Sequence, residues 1–321
     1  MGVRKLDGDH SRVVHSSDSR HPRGPPANVP VICSPTCGFG GEHRALEHKN
    51  EVCEGARATL DRGFIHKSKF KGPSTKKVFV EGCGGTCRLA QACSRIGITS
   101  ESFEIERNVV EDITSKHFKL QFKQRIMARK FEAVWLGITC ASFSLARRGK
   151  ADQSGWPPPL RSSDPVGIWG LEGLSKKDQW RVACGNRLAN RAAMIIRLCI
   201  KCGVPVFLEN PKTSRLWLYP PIARLLRYCS GFDHFDHCQY GAEFRKSTKV
   251  AVWNCDASIL FKKCCPVNGN CSFSGKPHIP LSGLDPHTKQ FKTAKASAYP
   301  WMFANDFAQL VKKEGKSAKA K

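Results

Sequence analysis

No apolar stretch in this sequence approaches the roughly 20 residues that a membrane-spanning helix needs. The opening Met1-Gly2-Val3-Arg4-Lys5 leads into no secretory apolar segment, and Leu6 stands where a myristoylation signal wants Ser or Thr. The expectation is a protein without membrane association, in an intracellular reducing compartment such as the nucleus or cytoplasm. Sixteen cysteines invite a disulfide framework. Several of them, Cys93 and Cys199 among them, sit instead in apolar periodic runs, where a free thiol behaves as a small hydrophobe. Internal repeats are absent. Acidic residues are scarce, 27 Asp and Glu against 52 Lys and Arg, for a net charge of +25. Spread along the whole chain, that surplus points to a polyanionic partner, DNA or RNA, because Lys and Arg clusters displace condensed counterions from phosphates. The plainer account is solubility plus basic tails. Oligomeric state is left open.

What is present divides into segments. The 321 residues suffice for one large α/β domain with a small appendage. Residues 1–30 read as a disordered basic arm. Residues 31–75 carry Cys33, Cys37, His43, His48 and Cys53. Cys33, Cys37, His48 and Cys53 form one set able to hold zinc, although the spacing matches no standard finger. From residue 76 to 254 strands and helices alternate. Val78-Phe79-Val80 reads as a strand running into a glycine turn. A helix follows with Leu89, Ala92, Cys93 and Ile96 on one face, closed by Gly97. Ser102–Glu106 and the nearly continuous apolar run Phe131–Ile138 are further strands. Residues 150–177 form a long loop of Pro, Gly, Ser and charge. Asp178–Cys202 is helical, Val204–Leu208 is a strand after the Gly203 stop, and Lys249–Trp253 is another. Residues 255–290 form a short Cys-rich lobe, 291–311 a C-terminal helix returning to the core, and 312–321 a basic tail. The expected fold is α/β, with a doubly wound, mostly parallel sheet.

In such a sheet ligands bind beyond the carboxyl ends of the strands. Four endings carry chemistry. The first is Glu81-Gly82-Cys83-Gly84-Gly85, whose glycines admit close approach of a ligand to the backbone. At the second, Glu106 lies 25 positions beyond Glu81, a distance at which an acidic residue can accept hydrogen bonds from ribose hydroxyls, and Asp112-Ile113 follows. The third is Gly137-Ile138-Thr139-Cys140-Ala141-Ser142-Phe143-Ser144, with a cysteine placed as a nucleophile would be. The fourth is Glu209-Asn210-Pro211, a carboxylate at the end of a buried strand.

In this order the endings resemble the motifs of the cytosine-5 nucleic-acid methyltransferases, across roughly residues 76–311. The resemblance implies a class I methyltransferase fold and S-adenosyl-L-methionine as cofactor. It implies a cofactor site of Phe79, Glu81, Gly82, Gly84, Gly85, Glu106, Asp112, Ile113 and Gly137. Cys140 stands at the nucleophile position, Glu209-Asn210 at the pair that engages the target base, and Arg245 in a Gln- and Arg-containing motif with Gln239 and Lys249. Tyr299-Pro300 and the helix after it match the C-terminal segment that returns to the cofactor. Leu160-Arg161-Ser162 and Glu209-Asn210-Pro211 also occur in a group of methylase-like proteins.

The implied chemistry is attack of the Cys140 thiolate on the cytosine ring, with a protonated Glu209 on the ring nitrogen, followed by methylation at carbon 5. Ser144, Arg147, Arg148 and Asn210 are expected to bind the substrate. Thr139, Ala141 and Pro211 replace the family's Pro, Gln and Val. Two other functions stay open: a methyltransferase acting at another atom, RNA caps included, for which Cys140 is dispensable, and a catalytically degenerate fold that binds nucleic acid. In the Cys-rich lobe, Cys264 or Cys265 with Cys271 and His278 offers a zinc site, the alternative being a lobe without metal.

Overall fold

The structure is a computed structural model that describes residues 76–104, 111–147, 157–283, 287 and 292–317. All belong to the unit Thr59–Lys321. The basic arm, the Cys33, Cys37, His48 and Cys53 set, Glu106 and Arg148 lie outside the described residues.

Six strands form one mixed sheet: β1 (Val78–Gly82), β2 (Ser100–Phe103), β3 (Phe131–Leu136), β4 (Val206–Pro211), β5 (Gly231–Asp236) and β6 (Ser247–Trp253). Their order across the sheet is β2-β1-β3-β4-β6-β5. Pairings β1–β2, β1–β3 and β3–β4 are parallel, while β6 runs antiparallel to both β4 and β5. Only β6 is therefore reversed.

The strands alternate their side chains between two cores, as a period of two requires. Val78, Val80, Val134, Leu136, Val206 and Leu208 face helices α2 (Lys116–Met127), α3 (Lys176–Cys202) and α4 (Pro220–Leu226). Phe79, Trp135, Phe207 and Val250 face α1 (Arg88–Arg95) and α5 (Trp301–Ser317). Helices on both faces give a Rossmann-like α/β arrangement. The long helix α3 starts where the Ser175 hydroxyl accepts from the Asp178 amide and stops at Gly203, φ +66°. Its buried face is made mostly of small residues, Gly185, Ala189, Ala192 and Ala193 among them, which let it lie close to its neighbours.

Several elements differ from expectation, α2 and α4 among them, where no helix was expected. β2 begins two residues earlier than its apolar content suggests, because it is a half-buried edge strand with polar residues. β5 was not anticipated at all. α5 starts after Pro300 and continues to Ser317, into the stretch expected as a basic tail. No helix among the described residues is long and apolar enough to cross a membrane. Every described cysteine is a free thiol.

Candidate functional site

The chain leaves β1 for β2 on one side and returns to β3 on the other, so the order reverses between β1 and β3. Ligand crevices in open α/β sheets lie at such a switch point, at the carboxyl ends of the strands. Here those ends carry the glycine turn and Gly137. The Gly137 amide donates to Gly82 O at 3.0 Å. A methyl on Gly137 would lie 3.1 Å from the Tyr299 hydroxyl and 3.3 Å from Cys83 O.

The turn after β1 is tightly wound, with Cys83, Gly85 and Cys87 all at positive φ. Two residues expected at a cofactor have other duties. Phe79 is fully buried and packs on Phe307 of α5, ring centroids 5.2 Å apart. Glu81 is fully buried as well and accepts from the Ala90 amide at 2.8 Å, holding α1 to β1. Gly84 makes room for it, since a Cβ there would stand 2.6 Å from the Glu81 carboxyl. Gly82 is pressed against Leu136, 3.3 Å from where its Cβ would be. Gly85 faces open space. Its amide donates to Glu104 at 3.0 Å.

Glu104 directly follows β2 and is the described carboxylate that meets the glycine turn. Glu106, the acidic residue expected at this ending, lies outside the described residues. Asp112 stays at the same rim: burial, then Glu104, then Asp112 push the Cys83 thiol up to about 12. Asp112 also turns the chain into α2, accepting from Thr114 N and Thr114 Oγ1 at 2.7 and 2.9 Å. Ile113 is buried in the core beside it.

Beyond β3, four hydrogen bonds and one ring contact hold the Cys140 loop. Asn210 Nδ2 donates to Ile138 O at 2.8 Å, and Arg215 N donates to Phe143 O at 2.9 Å. Arg161 is completely buried, with its guanidinium carbon 3.9 Å from the Phe143 ring centroid. Its five N–H donors are all used, on Ser142 Oγ (twice), Ile168 O, Asn186 Oδ1 and Val182 O, at 2.8 to 3.3 Å. No acidic side chain is among its partners. Arg161 was noticed in the sequence only as part of Leu160-Arg161-Ser162, and nothing in a Pro-, Gly- and Ser-rich stretch signals burial.

Cys140 and Glu209 share one electrostatic neighbourhood. Burial raises the Cys140 thiol and the Glu209 carboxylate raises it further, while Lys246 acts to lower it. Burial raises the Glu209 carboxyl too, against the opposing influence of Lys246 and the Tyr299 hydrogen bond. Tyr299 Oη donates to Glu209 Oε2 at 2.8 Å and accepts from Trp135 Nε1 at 3.1 Å. Lys246 is thus a cation that acts on both groups, its ammonium anchored on Ala296 O at 2.9 Å. Sequence reasoning chose its neighbour Arg245. That side chain turns instead to Asp236 at 3.3 Å and to Cys264 O at 3.3 Å.

The expected substrate contacts are mostly engaged within the protein. Arg147 pairs with Asp178 at 3.4 Å and donates to Pro158 O at 3.0 Å. Ser144 Oγ accepts from Ala146 N at 3.1 Å, in a local turn. Asn210 spends its amide on the Cys140 loop. Between α2 and α3 lies a cleft of about 410 Å³ lined by Thr114, Lys119, Arg187, Asn190, Arg191 and Met194. A second cavity, about 320 Å³ and including Lys77, Arg129 and Gly315, lies at the opposite, amino-terminal end of the strands and takes no part here.

A separate group of ligand-type side chains lies beyond β5. Cys238, Cys264, Cys271 and His278 offer atoms all within 4.8 Å of one another, an arrangement that can bind a metal such as zinc. Cys265, the alternative the sequence left open, is exposed and outside the group. Cys238 was missed because it stands 26 residues before Cys264, beyond any standard finger spacing. No family model matches the chain, and no curated protein matches it.

Proposed function

We propose that this protein is an S-adenosyl-L-methionine-dependent methyltransferase of the doubly wound class I type, acting on cytosine carbon 5 in DNA or RNA through Cys140. The supporting observation is the shared neighbourhood of Cys140, Glu209 and Lys246 at the ends of β3 and β4, next to a switch point rimmed by Glu104 and Asp112. The cofactor, when bound, supplies an electrophilic methyl group on a sulfonium. Gly85 offers an open backbone for it, Glu104 a carboxylate for ribose hydroxyls, and Asp112 a second acceptor.

The chain's own residues account for the rest. Glu209 is buried, and burial favours its neutral form, which donates a hydrogen bond to a base nitrogen. Protonation there also removes the negative charge that opposes the Cys140 thiolate. Lys246 is then left as the nearby charge acting on the sulfur, and it favours the thiolate. One proton thus serves base recognition and nucleophile activation. The three cations of the α2–α3 cleft and the net charge of +25 suit a phosphate backbone.

Trapping on an oligonucleotide containing 5-fluorocytosine, with radiolabelled cofactor, tests the reading. A denaturation-resistant adduct is expected with the wild-type chain and none with Cys140→Ser. One observation favours a second reading, methyl transfer to another atom: burial and Glu209 together hold the resting Cys140 as a thiol. Full methyl transfer by Cys140→Ser would establish it. Absence of any heat or thermal shift with S-adenosyl-L-methionine would remove both enzyme readings and leave a nucleic-acid-binding module.

A further inference from the structure

The segment that carries Cys264, Cys271 and His278 has almost no apolar interior of its own. Its regular pairing is limited to the isolated bridges Val267–Asn270 and Asn270–Pro277, and Val267, Phe273 and Ile279 are all exposed. Yet within the set Cys238, Cys264, Cys271 and His278 three of the four side chains are buried, and Cys238, Cys264 and Cys271 make a small core consisting of cysteine alone. Burying three thiols against one another gains little unless something binds them. We propose that these four residues hold one structural zinc ion that fixes this lobe to the end of β5.

The geometry suits tetrahedral zinc. Zn–S bonds of about 2.3 Å in a tetrahedron put neighbouring sulfurs about 3.8 Å apart. Cys264 Sγ stands 3.8 Å from Cys271 Sγ and 3.8 Å from His278 Nε2. Four protein ligands leave no open position, so the ion is structural rather than catalytic. Three thiolates and a neutral imidazole around Zn²⁺ carry one net negative charge, and donors stand ready to spread it. Phe273 N points at Cys271 Sγ from 3.4 Å and Ser272 Oγ at Cys264 Sγ from 3.7 Å.

The lobe is tied inward by Asp236, which is fully buried. Its Oδ2 accepts from Cys264 N at 2.8 Å and pairs with Arg245, and its Oδ1 accepts from Ser247. The metal thus secures the turn between β5 and β6. Arg245 closes that turn around the lobe.

The test uses the full chain, purified anaerobically from zinc-supplemented culture. Metal content by plasma mass spectrometry should fall by one zinc per chain in Cys238→Ser and in His278→Ala, and stay unchanged in Cys265→Ser. Reading a difference keeps any zinc in residues 31–75 out of the count. His278→Cys, which preserves four ligands, should restore the lost equivalent. Because a ligand variant can misfold, cysteine labelling of the wild-type chain supplies a second readout. Cys265 should label at once, and Cys238, Cys264 and Cys271 only after a chelator is added. Equal zinc in wild type, Cys238→Ser and His278→Ala overturns the proposal, as does labelling of the three thiols that a chelator does not change. A disulfide between Cys264 and Cys271 in the anaerobically purified chain overturns it too.

Discussion

Replacing Arg161 by Lys tests whether the Cys140 loop is held as described. The guanidinium is buried with no carboxylate beside it, so five hydrogen bonds to four neutral acceptors alone compensate its lost hydration. Burial lowers its pKa to about 10, which keeps it charged at neutral pH. A lysine ammonium has three donors on a flexible stem and cannot span acceptors contributed by Ser142, Ile168, Val182 and Asn186. Stranded there, it sheds its proton. Neutralising a group of ordinary pKa about 10.4 at pH 7 costs about 4.6 kcal/mol, at about 1.36 kcal/mol per unit, and this caps the penalty from the charge. The sign follows from linkage. A lysine held neutral in the fold binds fewer protons than in the unfolded chain, so stability rises with pH. Urea unfolding of Arg161→Lys should therefore show a loss of about 3–5 kcal/mol at pH 7 that recovers by about 1.4 kcal/mol per unit up to pH 9. Arg161→Met, with nothing to titrate, should be less stable than wild type without acquiring that slope. A flat Arg161→Lys profile within about 1 kcal/mol of wild type would refute the reasoning.

Gly185→Ala normally favours a helix by about 1 kcal/mol, but here the new methyl would overlap Ser142 Oγ and sit 3.0 Å from Arg161 Nη2. Thermal unfolding should register a net loss of about 1–3 kcal/mol; a rise in Tm would show that the loop yields freely. Glu209→Gln removes a charge that raises the Cys140 thiol, so alkylation of Cys140, followed by mass spectrometry, should reach its midpoint at lower pH than in wild type. The same variant should flatten the pH dependence of stability. A carboxyl raised on folding costs nothing below its ordinary pKa of about 4.3, and its penalty grows as pH rises toward the folded value. Tyr299→Phe leaves Trp135 Nε1 and Glu209 Oε2 without the shared hydroxyl and should cost about 1–3 kcal/mol in urea unfolding. No change would place the stabilisation elsewhere.

Elements whose burial writes itself into periodicity were legible in the sequence. β3 has one nearly continuous apolar run because both faces are covered, and α3 announces its stop with Gly203. β2 and β5 are the two edge strands, so partly exposed polar residues such as Ser100, Glu101 and Asp233 dilute their pattern. The same parity decides where an expected site residue points. Phe79 lies in the stretch that resembles a cofactor motif, and the strand turns it toward α5, away from the Val78 and Val80 face. Lys246 and Arg245 are adjacent in sequence and diverge in space, Lys246 acting on Glu209 and Arg245 pairing with Asp236. Cys238 depends on a hairpin that brings together residues 26 to 40 positions apart, a proximity no local spacing encodes.

The two departures in the Cys140 loop, Thr139 and Ala141, take on a definite meaning once the fixed points of the loop are located. A proline before the cysteine would stiffen the loop by limiting its backbone. Here stiffness comes from elsewhere: Ile138 is pinned by Asn210, Ser142 and Phe143 by Arg161, and the Phe143 carbonyl by Arg215. Thr139 and Ala141 are the exposed residues between those anchors, on either side of Cys140. The changes fall where the backbone carries no anchoring contact to the rest of the fold. The pinned residues set the direction of Cys140, and two of their three partners, Asn210 and Arg161, are buried. Stabilising the loop through Arg161 rather than a proline ties its geometry to α3. A perturbation such as Gly185→Ala, which never touches Cys140, should therefore act on the thiol as much as on stability.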